Sequence, residues 1–205
     1  MADRLEIFKG ALRHLGNAAG LSSLTEVSAS RQALDDAWQS SVDFLLEKGL
    51  WNFAIRAVEF AYDENMEPLF GYDYAFSKPT DWVRLVSISD EPTFREGLAD
   101  YADENGYWYA NVETIYVRYI SNDDAYGWNV GSWRQSFAKC LEAYLAFSSS
   151  LPISADRGNR NDLYNLYKQL LKDAKTLDAV DERVQQKPAG RLVKSRLASG
   201  YRDRY

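Results

Sequence analysis

Apolar side chains in residues 3–15 recur at Leu5, Phe8, Leu12 and Leu15, a spacing that gathers all four on one face of a helix. Gly16 follows where a helix end favours a residue without a Cβ. A link from Gly20 to Ser30, containing Ser and Gly, leads to a second periodic segment. In it Leu34, Ala37, Trp38, Ser41, Val42 and Leu45 share a face, and Gly49 marks its end, so a helix of about five turns is expected.

The period changes after Trp51. Ile55 to Tyr62 alternates as a strand does, although a helical reading of Ala54 to Ala61 stays open. Tyr72 to Phe76, Trp82 to Ser89, Leu98 to Asp103, Tyr107 to Ala110 and Ile115 to Ile120 are short β-branched or aromatic runs separated by Gly, Pro, Asn and Asp, and they read as strands. Asn105-Gly106 stands between two of them and signals a tight hairpin, because both turn positions need positive φ.

Helical spacing returns after Gly131. Phe137, Cys140, Leu141, Tyr144 and Leu145 form one stripe, which Pro152 is expected to stop. A fourth helix is expected to bury Leu163, Leu166, Tyr167, Leu170, Ala174 and Leu177, with Asp162 in its first turn. Beyond Arg183 the periodicity ends and Pro188, Gly190 and Gly200 appear, which reads as an extended arm that orders on a partner. The pattern predicts an α+β fold: a helical body of about four helices (1–50 and 132–184), an inserted small antiparallel β region (51–131), and an extended basic C-terminal arm (185–205).

Charge sharpens this division. The chain of 205 residues has a formal charge of −6, yet residues 185–205 carry Lys187, Arg191, Lys194, Arg196, Arg202 and Arg204 against Asp203 alone, a local +5 that leaves −11 on the remainder. An acidic body of that kind is a poor binder of nucleic acid, though like charge suits the wall of a channel through which DNA slides. No apolar run approaches the roughly 18 residues of a membrane span, and the opening residues lack a signal-peptide pattern, so a soluble protein that is not exported is expected.

The chemistry-bearing residues are few. One histidine, His14, and one cysteine, Cys140, fall short of a zinc site, and the phosphate-loop, dinucleotide-turn and nucleophile-elbow spacings are missing, so no cofactor or metal is expected. His14 reads as a solvent-facing or capping residue near a helix end, and Cys140 as a buried small apolar side chain. Glu91, Glu96, Asp100, Asp103 and Glu104 beside Tyr101, Tyr107, Trp108 and Tyr109 suit a glycan-active or sugar-binding cleft on paper. The simpler reading is solvated hairpin acids on an aromatic sheet. Asp35-Asp36 and Asp123-Asp124 read as a wet helix face and a loop. Six Trp and fourteen Tyr are more than a small core requires, which points to subunit interfaces.

Three blocks carry a resemblance. Ala11-Leu12-Arg13-His14-Leu15-Gly16 followed by Ser23-Leu24-Thr25-Glu26 and then Leu45-Leu46 through Trp51-Asn52-Phe53-Ala54 form the first; Tyr72 through Leu85, with Pro79, Asp81 and Trp82, form the second; Leu141 to Ser154, with Pro152-Ile153-Ser154, form the third. In this order, over roughly residues 5–180, they resemble the head-to-tail adaptor (connector) family of tailed bacteriophages, which includes tail tubular protein A of short-tailed phages. The chain departs from that pattern at Ser148-Ser149-Ser150, where more alanine is expected, and at Phe76-Ser77-Lys78-Pro79, where an aromatic-Leu-Pro run is expected.

The resemblance implies a non-enzymatic virion protein at the head-tail interface, made in the host cytoplasm and assembled as a ring, a dodecamer, under the portal. Its partners would be the portal protein, tail or nozzle proteins, other copies of itself, and genomic DNA passing through the lumen without sequence-specific binding. Arg191, Lys194, Arg196, Tyr201, Arg202, Arg204 and Tyr205 would form a portal-docking arm. The alternatives are another tail-completion or stopper protein, or a carbohydrate-binding or glycan-active phage module.

Overall fold

The computed structural model describes residues 2–17, 20–154 and 157–181. Among the described residues four helices, α1 (Arg4–His14), α2 (Ala29–Lys48), α3 (Gln135–Ser154) and α4 (Arg157–Val180), flank in sequence six strands: β1 (Ile55–Ala61), β2 (Tyr74–Ser77), β3 (Trp82–Ser89), β4 (Tyr101–Glu104), β5 (Tyr107–Ala110) and β6 (Thr114–Ser121). The α+β expectation therefore holds. Ile55 onward is a strand, which resolves the choice left open between strand and helix.

Helix ends follow local chemistry. Asn17 N–H donates to the Leu12 carbonyl at 2.9 Å and Gly16 N–H to the Arg13 carbonyl at 3.1 Å. With Gly16 at φ +75°, this is a Schellman ending of α1. Ser28 caps α2 by accepting from the Arg31 N–H at 3.2 Å.

Helix α3 packs against α1, α2 and α4. The sequence stripe understates its burial, because Ala138, Ala143, Ala146, Ser149 and Ser150 are buried as well. Small side chains let three neighbours approach one helix. The serine hydroxyls find backbone acceptors: Ser149 donates to the Ala33 carbonyl of α2, and Ser148 and Ser150 donate to the carbonyls of Leu145 and Phe147 one turn back. This gives the serines that depart from the adaptor pattern a structural role.

Two expectations about the helices are corrected. Pro152 lies inside α3, which continues to Ser154. A proline this close to a helix end removes one hydrogen bond and crowds one carbonyl, a cost smaller than the packing of α3 on three helices. Helix α4 begins at Arg157, so Asp162 lies beyond its first turn, and Leu177 is 55% exposed while Asp178 is buried at 5%. The inward position near the end of α4 is thus held by a carboxylate that makes specific hydrogen bonds.

The strands form two antiparallel three-stranded sheets, β1-β6-β3 and β2-β5-β4. Asn105 and Gly106 adopt φ of 45° and 82° in the β4-β5 hairpin, where Glu104 pairs with Tyr107. Leu98 is not part of β4; its N–H donates to the Ile88 carbonyl beside β3 instead. Phe76, Trp108 and Ala110 of the second sheet share a core with Ile88, Ile115, Val117 and Tyr119 of the first, so the sheets stack face to face. The opposite face of the first sheet offers Ile55, Val83, Val86 and Ile120 to the helical core.

The helices and sheets meet at Trp51–Ala54, a short 3-10 turn preceded by a buried indole. Trp51 Nε1–H donates to the Leu45 carbonyl at 2.7 Å. Asn52 N–H donates to an Asp178 carboxylate oxygen at 2.9 Å, and its side-chain amide donates to the Asp178 carbonyl at 2.8 Å.

Candidate functional surfaces

The tryptophan part of the aromatic surplus is mostly core, whereas most of the described tyrosines are half-buried or exposed. Trp38, Trp51, Trp108 and Trp133 are all buried, so four of the six tryptophans are not available as surface anchors. Trp38 meets Phe8 edge-on at 5.4 Å, Trp128 at 6.4 Å and Trp133 at 5.8 Å, and the Arg4 guanidinium lies 4.9 Å from its ring.

Asp103 and Glu104 do not converge as a glycosidase pair. They are neighbours on β4 and therefore point to opposite faces of its sheet. Asp103 is on the face of its cross-strand partner Trp108, whose Nε1–H donates to it at 3.2 Å, and it also pairs with Lys78. It stays exposed in the hairpin, as expected, and also serves there as an acceptor. Glu104 shares the other face with Tyr107 and Tyr109, beside a groove of about 270 Å³ under residues 66–72. Asp100 accepts from the Tyr72 hydroxyl at 3.3 Å, while Glu91 accepts from Thr93. Tyr101 packs on the inner β core, so the four aromatics do not form one platform.

Asp35 departs from its expected place on a wet helix face. It forms ion pairs with Arg4 of α1 and Arg31 of α2, linking the first two helices. Cys140 is buried, and burial pushes its thiol up to about 12, which leaves it protonated at neutral pH. His14, in the last turn of α1, is held below the usual histidine range by burial first and then by Lys139 and Arg13. Among the described residues, no group of three or more His, Cys, Asp or Glu side chains could hold a metal ion. No described helix is long and apolar enough to cross a membrane.

A polar cluster is built around Asp81, just before β3. Its carboxylate accepts from Arg56 of β1 at 2.9 Å, from the Tyr119 hydroxyl at 3.1 and 3.2 Å, and from the Ser121 hydroxyl. Its carbonyl accepts from Asn122 N–H at 3.0 Å. Burial raises the carboxyl's pKa, but the donors from Ser121, Arg56 and Tyr119 outweigh it and hold the group below the usual aspartate range. Its own burial first, and then the same carboxylate, push Tyr119 upward. This arrangement binds all three strands of the first sheet at the end nearest the helices.

A lowered folded-state pKa adds stability above the unfolded value, roughly 3.9, and that contribution fades as pH falls through the folded value. Asp81→Asn is therefore expected to cost about 1–3 kcal/mol near neutral pH, with a gap from wild type that narrows toward pH 3. Urea unfolding at a series of pH values measures it. A gap independent of pH would show that the carboxylate's charge is not what binds the strands.

Two surface features were not visible in the sequence. Leu69 and Phe70 are 95% and 86% exposed in the segment between β1 and β2. Lys48, Arg84 and Lys175, far apart in the chain, line one groove of about 280 Å³ together with Leu50, Trp51 and Asp178. The only sequence signal for the first is an apolar pair inside an otherwise acidic turn-rich segment, and for the second there is none. The docking-arm residues Arg191, Lys194, Arg196, Tyr201, Arg202, Arg204 and Tyr205 lie outside the described residues.

No family model matches the chain, and no curated protein matches it either.

Proposed function

We propose that this protein is a structural virion subunit, a head-to-tail adaptor that forms a ring between a phage portal and the tail and contributes to the DNA channel. The observation that carries this reading is where the adaptor-like blocks fall. Trp51-Asn52-Phe53-Ala54 makes the joint between helices and sheet, Asp81-Trp82 opens the strand fixed to that joint, and Leu141 to Ser154 belongs to the central helix α3. The residues that carry the resemblance thus build a rigid link between a helical body and a β end, the architecture that a two-ended connector needs. An acidic body with a separate basic C-terminal stretch fits a subunit that lets DNA pass while gripping a protein partner.

The test is the mass of the complex formed with the portal ring encoded beside this protein. Twelve bound copies of a 23.4 kDa chain would add about 281 kDa. Removal of residues 185–205 is expected to abolish the added mass while leaving the far-ultraviolet circular dichroism of the helices in place. No added mass with both full-length partners folded would remove the adaptor reading and favour another tail joint. Attachment that survived the truncation would remove the arm's role alone.

A further inference from the structure

The exposed pair Leu69-Phe70 belongs to a shaped segment. The Asp63 carboxylate accepts from Asn65 N–H at 3.0 Å, Met66 N–H donates to the Asp63 carbonyl at 3.1 Å, and Gly71 turns the chain at φ +89°. The Tyr72 hydroxyl then anchors the far side to Asp100. These contacts define the backbone on both sides of two large apolar side chains left in water, which is the mark of a surface that another molecule covers. Exposed Glu64 and Glu67 flank them on the same segment.

The groove lined by Lys48, Leu50, Arg84 and Lys175, with Asp178 also in its lining, carries three cations against one acid, and that net positive charge is complementary to the segment. None of its three cations forms an ion pair among the described residues. Arg84 donates to the Glu47 carbonyl at 3.1 Å, and Lys48 lies over the Phe44 ring at 4.4 Å. Lys175 is held below the usual lysine range by burial, then by Arg84 and Lys48, so like charges face one another there. Leu50, 42% exposed, gives the groove an apolar wall. A carboxylate-flanked apolar segment would relieve the repulsion and cover the leucine together.

We propose that residues 63–72 of one copy dock, through Leu69, Phe70, Glu64 and Glu67, into the Lys48–Arg84–Lys175 groove of a second copy of this chain. The occupant cannot be the same chain. Residues 66–72 lie beside Ala102, Glu104 and Tyr109 on the outer face of the second sheet, whereas Arg84 pairs in register with Ile120, a residue of the helical core, on the far side of the first. Both stacked sheets, about 10 Å apart, stand between them. Because the two surfaces lie on opposite sides of the stacked sheets, a copy seated through one presents the other away from the contact, so the contact is head to tail and either closes into a ring or runs on as a chain. It rests on the adaptor reading only for the expectation that it closes.

Covalent trapping tests this even when the contact is weak. In the full chain, Phe70→Cys combined with Leu50→Cys and oxidised with diamide is expected to give a ladder of disulfide-linked multimers; buried Cys140 does not compete. Phe70→Cys with Val27→Cys is the collision control. Val27 is 98% exposed but lies just before α2, about 30 Å from the groove beyond that helix's other end. Adding Glu64→Lys and Glu67→Lys to the trapping pair is expected to weaken the ladder on the order of tenfold, and further addition of Lys48→Glu and Lys175→Glu to restore it. A ladder no stronger than the control, or one indifferent to charge reversal, overturns the contact. Portal attachment is measured separately: a ladder without attachment keeps this contact and removes the adaptor reading, and attachment without a ladder does the reverse.

Discussion

Trp38→Ala is expected to destabilise the protein by about 3–5 kcal/mol and to lower its Tm by roughly 6–20 °C. The indole is 6% exposed and holds together elements remote in sequence: Phe8 and Arg4 of α1, its own helix α2, and Trp128 and Trp133 on the approach to α3. Truncation removes three ring contacts and a cation-π contact and leaves a cavity that helices pinned on other sides cannot collapse to fill. Trp38→Phe keeps part of the aromatic surface and is expected to cost about half as much. Thermal unfolding of both variants checks the pair; equal losses would mean that the site tolerates no change of shape, and no loss would mean that the aromatic cluster is not a foundation of the helical core.

Gly127→Ala is the second large effect, arising from close approach of backbones. A Cβ at Gly127 would lie 2.2 Å from the Ser121 carbonyl oxygen and 3.0 Å from Leu46 Cδ1. The loop is fastened at this residue on both sides, since Gly127 N–H donates to the Ser121 carbonyl at 3.1 Å and its own carbonyl accepts from Trp133 Nε1 at 2.8 Å. Moving the backbone aside would break both bonds, so a loss of about 2–4 kcal/mol is expected. Gly97→Ala is the control: its nearest contact would be the Ile88 carbonyl at 3.6 Å, ordinary van der Waals distance, and its effect is expected to stay within about 1 kcal/mol. Chemical denaturation separates the two, and similar values for both would contradict the close-approach argument.

Much of the fold was legible because it is decided locally. The face of α2 from Leu34 to Leu45, the Gly16 ending of α1 and the Asn105-Gly106 turn depend on neighbours a few residues away. What could not be read depends on distant partners. Nothing near Leu177 or Asp178 shows that the carboxylate turns inward; that follows from Asn52, which donates to it across the joint. Leu98 has the composition of a strand start but bonds to the Ile88 carbonyl, because two stacked sheets bring the end of β3 to it. Pro152 is a helix breaker by local rules, and packing on three helices overrides them.

The surface features divide in the same way. The basic C-terminal stretch is a matter of composition and is visible at once, whereas Lys48, Arg84 and Lys175 come from α2, β3 and α4 and meet only after folding. Asp103 is an exposed hairpin acid, as its place before the Asn105-Gly106 turn suggests; its partners Lys78, just after β2, and Trp108 of β5 are brought to it by the sheet pairing.

The joint at Trp51–Ala54 has a mechanical consequence. Asn52 grips Asp178 at its backbone carbonyl and its carboxylate, close to where the chain leaves α4. A force applied to the sheet reaches that exit point through one short turn and two hydrogen bonds, without travelling along the length of any helix. Push or pull at the β end is thereby delivered to the root of the C-terminal stretch as through a stiff, short lever, while the helical body acts as its mount.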